Sequence, residues 1–131
     1  QLLRKMPVKS EYQYSDLTAK IIKIAIDVHK NLGPGFVEKI YQRALYLEFK
    51  KSGLKFIREK KIDVIYNGVN LGYEQVDFDI ENKVLVEIKT VTELNEIHIA
   101  QVISYLKASK RKVGLILNFA KPRLEIKRIV N

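Results

Sequence analysis

The sequence predicts one mixed α/β domain in which two helices precede a sheet. Two segments before residue 54 carry apolar residues at helical spacing. Residues 56–90 instead alternate between apolar and polar, and Asn67-Gly68 within them is a two-residue hairpin signal. A third helical segment follows, and then a strand that is apolar on both faces. The predicted order is therefore α-α-β-β-β-α-β-β, and a chain of 131 residues has the length of one domain.

Both early helices have boundary signals in the sequence. Ser15 or Asp16 is expected to cap the first helix, and Gly33-Pro34-Gly35 ends it. The second helix follows this glycine turn and is expected to end at Gly53. Their apolar stripes are Leu17, Ile21, Ile24, Ala25 and Val28, then Phe36, Ile40, Ala44, Leu45 and Phe49. Residues 1–14 show no periodicity and are expected to form an N-terminal arm, so that residues 15–131 make the single domain.

Three strands of a meander should follow the second helix. Asn67-Gly68 separates the first two, and Glu81-Asn82-Lys83 turns the chain into the third. A third helix is indicated by Ile97, Ala100, Ile103 and Leu106. The predicted strands are Phe56–Tyr66, Val69–Ile80, Val84–Thr90, Val113–Phe119 and Leu124–Val130, the last at a sheet edge.

Charge and composition restrict the partners and the kinds of site. The net charge of +9 favours a polyanion, either nucleic acid or a membrane surface. The absence of cysteine excludes disulfides, thiolate zinc sites and cysteine nucleophiles. His29 and His98 lie far apart in sequence, so an oxygen-ligated Mg²⁺ or Mn²⁺ fits better than zinc. No apolar run approaches the roughly 20 residues that span a bilayer. A cytoplasmic protein without membrane association is expected.

Two carboxylates and a lysine are the candidate chemistry of the sheet. In the third strand, alternation puts Glu87 and Lys89 on one face and Val86 and Ile88 on the other. The tight turn folds the second strand back, so that Asp77 could pair with Glu87. A divalent cation would relieve the repulsion between the two carboxylates, and Lys89 could position or deprotonate a water. A cross-strand salt bridge on a solvated face is the alternative from spacing alone.

The order of these motifs resembles the PD-(D/E)xK nuclease superfamily, in which a hairpin carries Asp and then Glu-x-Lys before a helix and a strand. Residues 35–41, Gly-Phe-Val-Glu-Lys-Ile-Tyr, are similar to the signature of the GxxExxY proteins within that superfamily. Residues 28–35 and 113–119 also resemble that family. Val76 stands where the superfamily name has proline. The resemblance implies a restriction-endonuclease-like fold, with a mixed sheet flanked by helices.

The resemblance also implies further site residues. Glu38 would point toward a metal held by Asp77 and Glu87, and the Ile88 carbonyl is expected to complete the ligand shell. Gln101 and Tyr105 match the Gln-x-x-x-Tyr motif of RecB-like and lambda-exonuclease-like branches, where these groups lie beside the metal. Tyr41 is expected to pack rather than to act in catalysis, and His98 to make a polar surface or supporting contact.

The function implied is hydrolysis of nucleic-acid phosphodiesters, with DNA preferred, by a water that Mg²⁺ or Mn²⁺ activates. The products would carry 5′-phosphate and 3′-hydroxyl ends. The competing class is a basic nucleic-acid-binding module of weak or no activity within a larger complex. A purely structural domain is a third class. The oligomeric state stays open, with a homodimer among the alternatives.

Overall fold

A five-stranded mixed sheet forms the centre of the structure, a computed structural model in which residues 13–131 are described. The elements are α1 Ser15–Leu32, α2 Glu38–Lys51, β1 Phe56–Tyr66, β2 Val69–Ile80, β3 Val84–Lys89, α3 Glu96–Ser109, β4 Val113–Asn118 and β5 Glu125–Val130. This order and the α/β class confirm the predicted fold. Of the predicted N-terminal arm, residues 1–12 lie outside the described part of the chain.

The strands lie in the sheet in chain order, from β1 at one edge to β5 at the other. All neighbours are antiparallel except β3 and β4, which are parallel. Helix α3 makes the crossover that a parallel pair requires. The sheet is mixed because the single β-α-β unit makes β3 and β4 parallel, whereas the other neighbouring strands are antiparallel.

Each face of the sheet is covered by its own apolar core. On one face α1 and α2 cover β2, β3 and β4, with side chains such as Ile21, Leu45 and Phe78 buried between them. On the other face α3 contributes Val102 and Leu106. Helix α3 lies close to β4, because a Cβ added at Gly114 would come within 2.9 Å of Val102. The double cover explains why β3 and β4 are buried along nearly their whole length.

The helix boundaries agree with the sequence at some ends and differ at others. Helix α2 ends before Gly53, which has the positive φ of 77° expected of a helix-stop glycine. The predicted capping of α1 by Ser15 or Asp16 was wrong, because Tyr14 takes the cap position without a side-chain hydrogen bond. No helix in residues 13–131 is long and apolar enough to cross a membrane.

The β1–β2 hairpin changes its orientation halfway along. Phe78 packs into the core under α1 and α2, whereas Val76 packs into the core under α3, although alternation should put both on one face. The change coincides with Glu59, whose φ of 53° is left-handed, and with Asp77 between the two core residues. We call the part beyond this point, residues 60–76, the distal hairpin. Its pairing contains a β-bulge between Val64 and Ile65.

Candidate active site

Strand β2 leaves β3 at the point where two carboxylates meet. Pairing of the two strands ends at Phe78 and Val86, so Asp77 and Glu87 no longer belong to the ladder. The Ile88 amide instead donates to Asp77 Oδ2 at 2.8 Å, and the Asp77 amide donates to Glu87 Oε1 at 3.3 Å. The two carboxylates thus take over acceptor positions of the ladder, and the main chain fixes them next to each other.

Helix α2 supplies a residue that the sequence analysis missed. Gln42 is buried, and its side-chain amide donates to Asp77 Oδ1 at 2.7 Å. Because this contact turns Nε2 toward the carboxylate, Oε1 is the free end, and it is buried without a hydrogen-bond partner within residues 13–131. Leaving a buried acceptor unpaired costs about 1–3 kcal/mol. The available signal was spacing, since Gln42 lies four residues after Glu38 on one helical face.

Burial and the neighbouring carboxylate change the ionisation of Glu87. Burial raises the pKa of its carboxyl group to about 9, and the charge of Asp77 adds to the rise. Lys89 acts in the opposite direction but does not offset these effects. In the absence of a cation, the pair therefore retains a proton at neutral pH.

Lys89 connects the carboxylates to helix α3. Its Nζ donates to Gln101 Oε1 at 3.0 Å and lies 3.9 Å from Glu87 Oε2. The ammonium is thus held more closely by the amide than by the acid. A simple salt bridge would show the reverse preference. The amide of Gln101 fixes the lysine while leaving its charge available to an anion.

Tyr105 lies one turn after Gln101 on α3 and is buried in the core under that helix. Burial raises the pKa of its hydroxyl group, and the charge of Glu87 is the next contribution. The phenol therefore remains protonated across the ordinary pH range, as a hydrogen-bond donor near the carboxylates.

Glu38 lies at the edge of this group rather than inside it. Its Oε2 accepts from the Thr90 amide at 3.2 Å, just beyond the end of β3. No group of three or more histidine or carboxylate side chains in residues 13–131 is placed to hold a metal ion. The structure therefore brings together Asp77 and Glu87, and Glu38 lies beyond this pair, next to the end of β3. Ile88 contributes its amide to Asp77, and a role of its carbonyl stays a prediction.

Two other motif residues have structural partners. The Tyr41 hydroxyl donates to the Gly33 carbonyl at 2.6 Å and accepts from the Phe36 amide at 3.2 Å. Its ring stacks on Phe119 with centroids 4.4 Å apart, so the tyrosine holds the turn between the first two helices. His98 belongs to the capping box of α3, where its Nδ1 accepts from the Asn95 amide at 3.1 Å.

Comparisons with known proteins bear on the family and the fold. No curated protein matches the sequence of this chain. The fold is similar to the crystal structure of SSO0001, with a TM-score of 0.58 and 20% identity. The match covers 71% of this chain and 49% of that chain, so it spans about half of that protein and speaks for the fold alone. The family model of the PD-(D/E)XK nuclease superfamily matches residues 15–129. The chain therefore belongs to the PD-(D/E)XK nuclease superfamily.

Proposed function

We propose that this protein is a nuclease that hydrolyses DNA phosphodiester bonds with Mg²⁺ or Mn²⁺. The observation that carries the proposal is the convergence of Asp77, Glu87, Lys89 and Gln101 where β2 leaves β3. Membership of the superfamily makes nucleic acid the expected substrate, and the net charge of +9 suits a polyanion. The motif formed by Gly35, Glu38 and Tyr41 supports a place among the GxxExxY proteins.

The donor set fits a hard divalent cation. Asp77 and Glu87 would hold it, and two observations support this assignment. Two adjacent carboxylates keep a proton when no cation is present. Ionisation of both becomes favourable once a bound cation offsets their charge. Gln42 donates to Asp77 and keeps an unpaired, buried Oε1, so a polar group without a partner lies next to this carboxylate. When bound, Mg²⁺ or Mn²⁺ would supply Lewis acidity to the phosphodiester and acidify a bound water.

The remaining side chains have separate roles in the proposed reaction. Lys89 positions the attacking water and offsets the negative charge that develops on the phosphoryl oxygens. Gln101 holds the lysine by a hydrogen bond, so the ammonium does not form a close ion pair with Glu87. Tyr105 stays protonated and can donate to a phosphate oxygen. Gln42 orients Asp77 from helix α2.

Cleavage of labelled nucleic acid tests the proposal. Purified protein is incubated with single- and double-stranded DNA and RNA, in Mg²⁺, Mn²⁺ or chelator. We expect cleavage of DNA that needs the cation and falls at least about 100-fold in Lys89→Ala, as for loss of a group that acts in the transition state. Lys127→Ala is the control, because Lys127 is an exposed cation on β5.

Two results would contradict the proposal, the first in the role of Lys89 and the second in the activity itself. Cation-dependent cleavage that survives in Lys89→Ala would remove the lysine from the reaction. Binding of DNA without cleavage in any cation would instead favour the basic binding module that acts within a larger complex. The ends of the cleaved strands are a further readout, since 5′-phosphates are expected.

A further inference from the structure

A groove runs between the edge strand β1 and the second half of helix α3. Two concave regions, of about 590 and 250 Å³, are both lined by Asp63, Ile65 and Ala108 and are therefore continuous. Neither region contains any of the residues of the proposed reaction. The groove begins one turn beyond Gln101, because Ser104 also lines it.

Five of the twelve residues that line the groove are cations. Lys61, Lys107 and Lys110 form no salt bridge within the described part of the chain, and Asp63 is the one acidic residue beside them in the two linings. Lys60 and Arg111 also line it, but both are paired with Asp79. Three cations thus remain available to an anionic partner.

Lys110 has an unusual backbone for a lysine. It ends α3 with φ 61° and ψ 29°, the left-handed conformation in which helices usually place glycine. A lysine in this position is strained, and residues strained in this way cluster at functional sites. Because Lys110 lines the groove, the charge of its side chain explains why a lysine and not a glycine stands at this position.

An aromatic ring lies beside one of these cations, Lys61, on the distal hairpin. The Lys61 ammonium lies 4.8 Å from the centroid of the Tyr73 ring. Tyr73 is 55% exposed, and Tyr66 at the tip of the hairpin is 64% exposed. An exposed ring next to a cation, as Tyr73 is to Lys61, is an arrangement on which an unpaired base can stack while its phosphate is neutralised.

We propose that the groove binds a single strand of nucleic acid and leads it toward Gln101. Its phosphates contact Lys61, Lys107 and Lys110, and a base stacks on Tyr73 beside Lys61. The proposal rests on the proposed nuclease function, because it specifies the form of the substrate that reaches that site. Charge complementarity favours this occupant over a second copy of the chain, which would bring its own net charge of +9.

Binding without cleavage tests the groove. Fluorescence anisotropy of a labelled oligothymidylate and of a matched duplex is measured in chelator at several salt concentrations. We expect the single strand to bind more tightly than the duplex. Lys110→Gly should weaken binding several-fold and reduce the salt slope by about 0.7, the value for one phosphate contact of a single strand. Its Tm should equal or exceed that of the wild type, since glycine relieves the strained backbone.

Matched variants separate the groove from general charge and backbone effects. Lys127→Ala removes the same charge from β5 at the opposite edge of the sheet and should leave the salt slope unchanged. Asn82→Gly relieves another left-handed residue, φ 56°, without a change of charge and should leave binding unchanged. Tyr73→Leu should weaken binding of the oligothymidylate by at least about fivefold, as expected for loss of one stacked base.

Several outcomes would overturn the proposal. These are equal losses of oligothymidylate affinity in Lys110→Gly and Lys127→Ala, tighter binding of the duplex than of the single strand, or no measurable binding by the wild type. Dimerisation of the wild type that Tyr73→Leu abolishes, with oligothymidylate affinity unchanged, would identify the hairpin as a protein interface instead. Because these measurements need no turnover, a groove that binds in a protein that never cleaves would refute the nuclease and keep the groove. Cleavage that is indifferent to groove variants would do the reverse.

Discussion

Glu87 couples the stability of the fold to pH, because it is buried beside a second carboxylate. Its folded-state pKa of about 9 lies above the ordinary value for a glutamate. A group of this kind contributes stability that is fully present below its unfolded pKa. The contribution is lost as pH rises through the folded pKa. The contribution of Glu87 to stability is therefore lost progressively between about pH 4.5 and about pH 9.

We predict that Glu87→Gln is more stable than the wild type at pH 8 in chelator, and that the difference disappears toward pH 4. The amide can keep the acceptor for the Asp77 amide, and it removes the proton uptake that folding requires of Glu87 at this pH. A gain of about 1 kcal/mol or more, roughly 3–6 °C for a domain of this size, is expected at pH 8. Mn²⁺ should raise the Tm of the wild type and not that of the variant.

Glu125→Gln provides a control of opposite sign. A hydrogen bond from the Asn118 amide lowers the pKa of Glu125, so its contribution is present above the ordinary carboxyl pKa and lost as pH falls. This variant should be no more stable than the wild type at pH 8. A Glu87→Gln protein that melts below the wild type at pH 8 would show that Lys89 dominates the site and that the salt-bridge interpretation was right.

Helix α2 organises the site as an element, because one face of it reaches three other segments. Glu38 accepts from Thr90 after β3, Lys39 pairs with Glu59 on β1, and Gln42 donates to Asp77 on β2. The helix therefore fixes the hairpin where it changes orientation. Helix α2 thus helps to place Asp77, although Asp77 and Glu87, the two carboxylates proposed to hold the cation, both lie on the sheet.

We predict that Gln42→Met lowers cleavage at least about 10-fold, mainly in kcat, while stability changes by less than about 1 kcal/mol. The variant loses the hydrogen bond to Asp77 but also removes the unpaired Oε1, so the two effects on stability largely cancel. Steady-state kinetics and urea unfolding provide the two measurements. A stability loss of several kcal/mol with unchanged kcat would make Gln42 a residue of the fold alone.

The elements themselves were predictable because their signals are local. Periodicity placed all three helices and five strands in order, and Asn67-Gly68 and Gly53 have the positive φ values that their turn roles require. The change of orientation in the hairpin was not predictable. It depends on Glu59, a residue type that seldom adopts a left-handed backbone, and on packing of Val76 under α3.

The site was predictable only in part for the same reason. The Asp and Glu-x-Lys pattern located the carboxylates and the lysine, and the Gln-x-x-x-Tyr motif located the two residues of α3. Gln42 has no local signal beyond its helical face, because its importance comes from contact with a strand 35 residues away. The capping role of His98 depended on the neighbouring Asn95.

Across the whole molecule, stability should be lowest where the sheet lacks a cover. Strands β3 and β4 are buried on both faces, whereas residues 69–75 of the distal hairpin are all exposed. A two-stranded ribbon without further layers is marginally stable. The least stable part of the sheet thus lies beside the proposed groove.

We predict that amides of residues 65–72 exchange with solvent through local opening, while those of residues 84–88 and 113–118 exchange only on global unfolding. Hydrogen exchange followed by mass spectrometry at increasing denaturant distinguishes the two regimes. Exchange of the hairpin should show little dependence on denaturant. Equal protection in the hairpin and the central strands would mean that α3 stabilises the whole extension.

The hydrogen bonds between Asp77 and its neighbours also bear on how such a domain would decay if its activity became unnecessary. Loss of the Asp77 side chain leaves the Ile88 amide and the Gln42 amide without their acceptor. Loss of Lys89 removes only side-chain contacts. Genetic drift should therefore discard the lysine before Asp77. In copies of the domain that have lost activity, a surviving Asp77 would reflect the needs of folding, and the lysine would be the residue that reports whether the domain is still a nuclease.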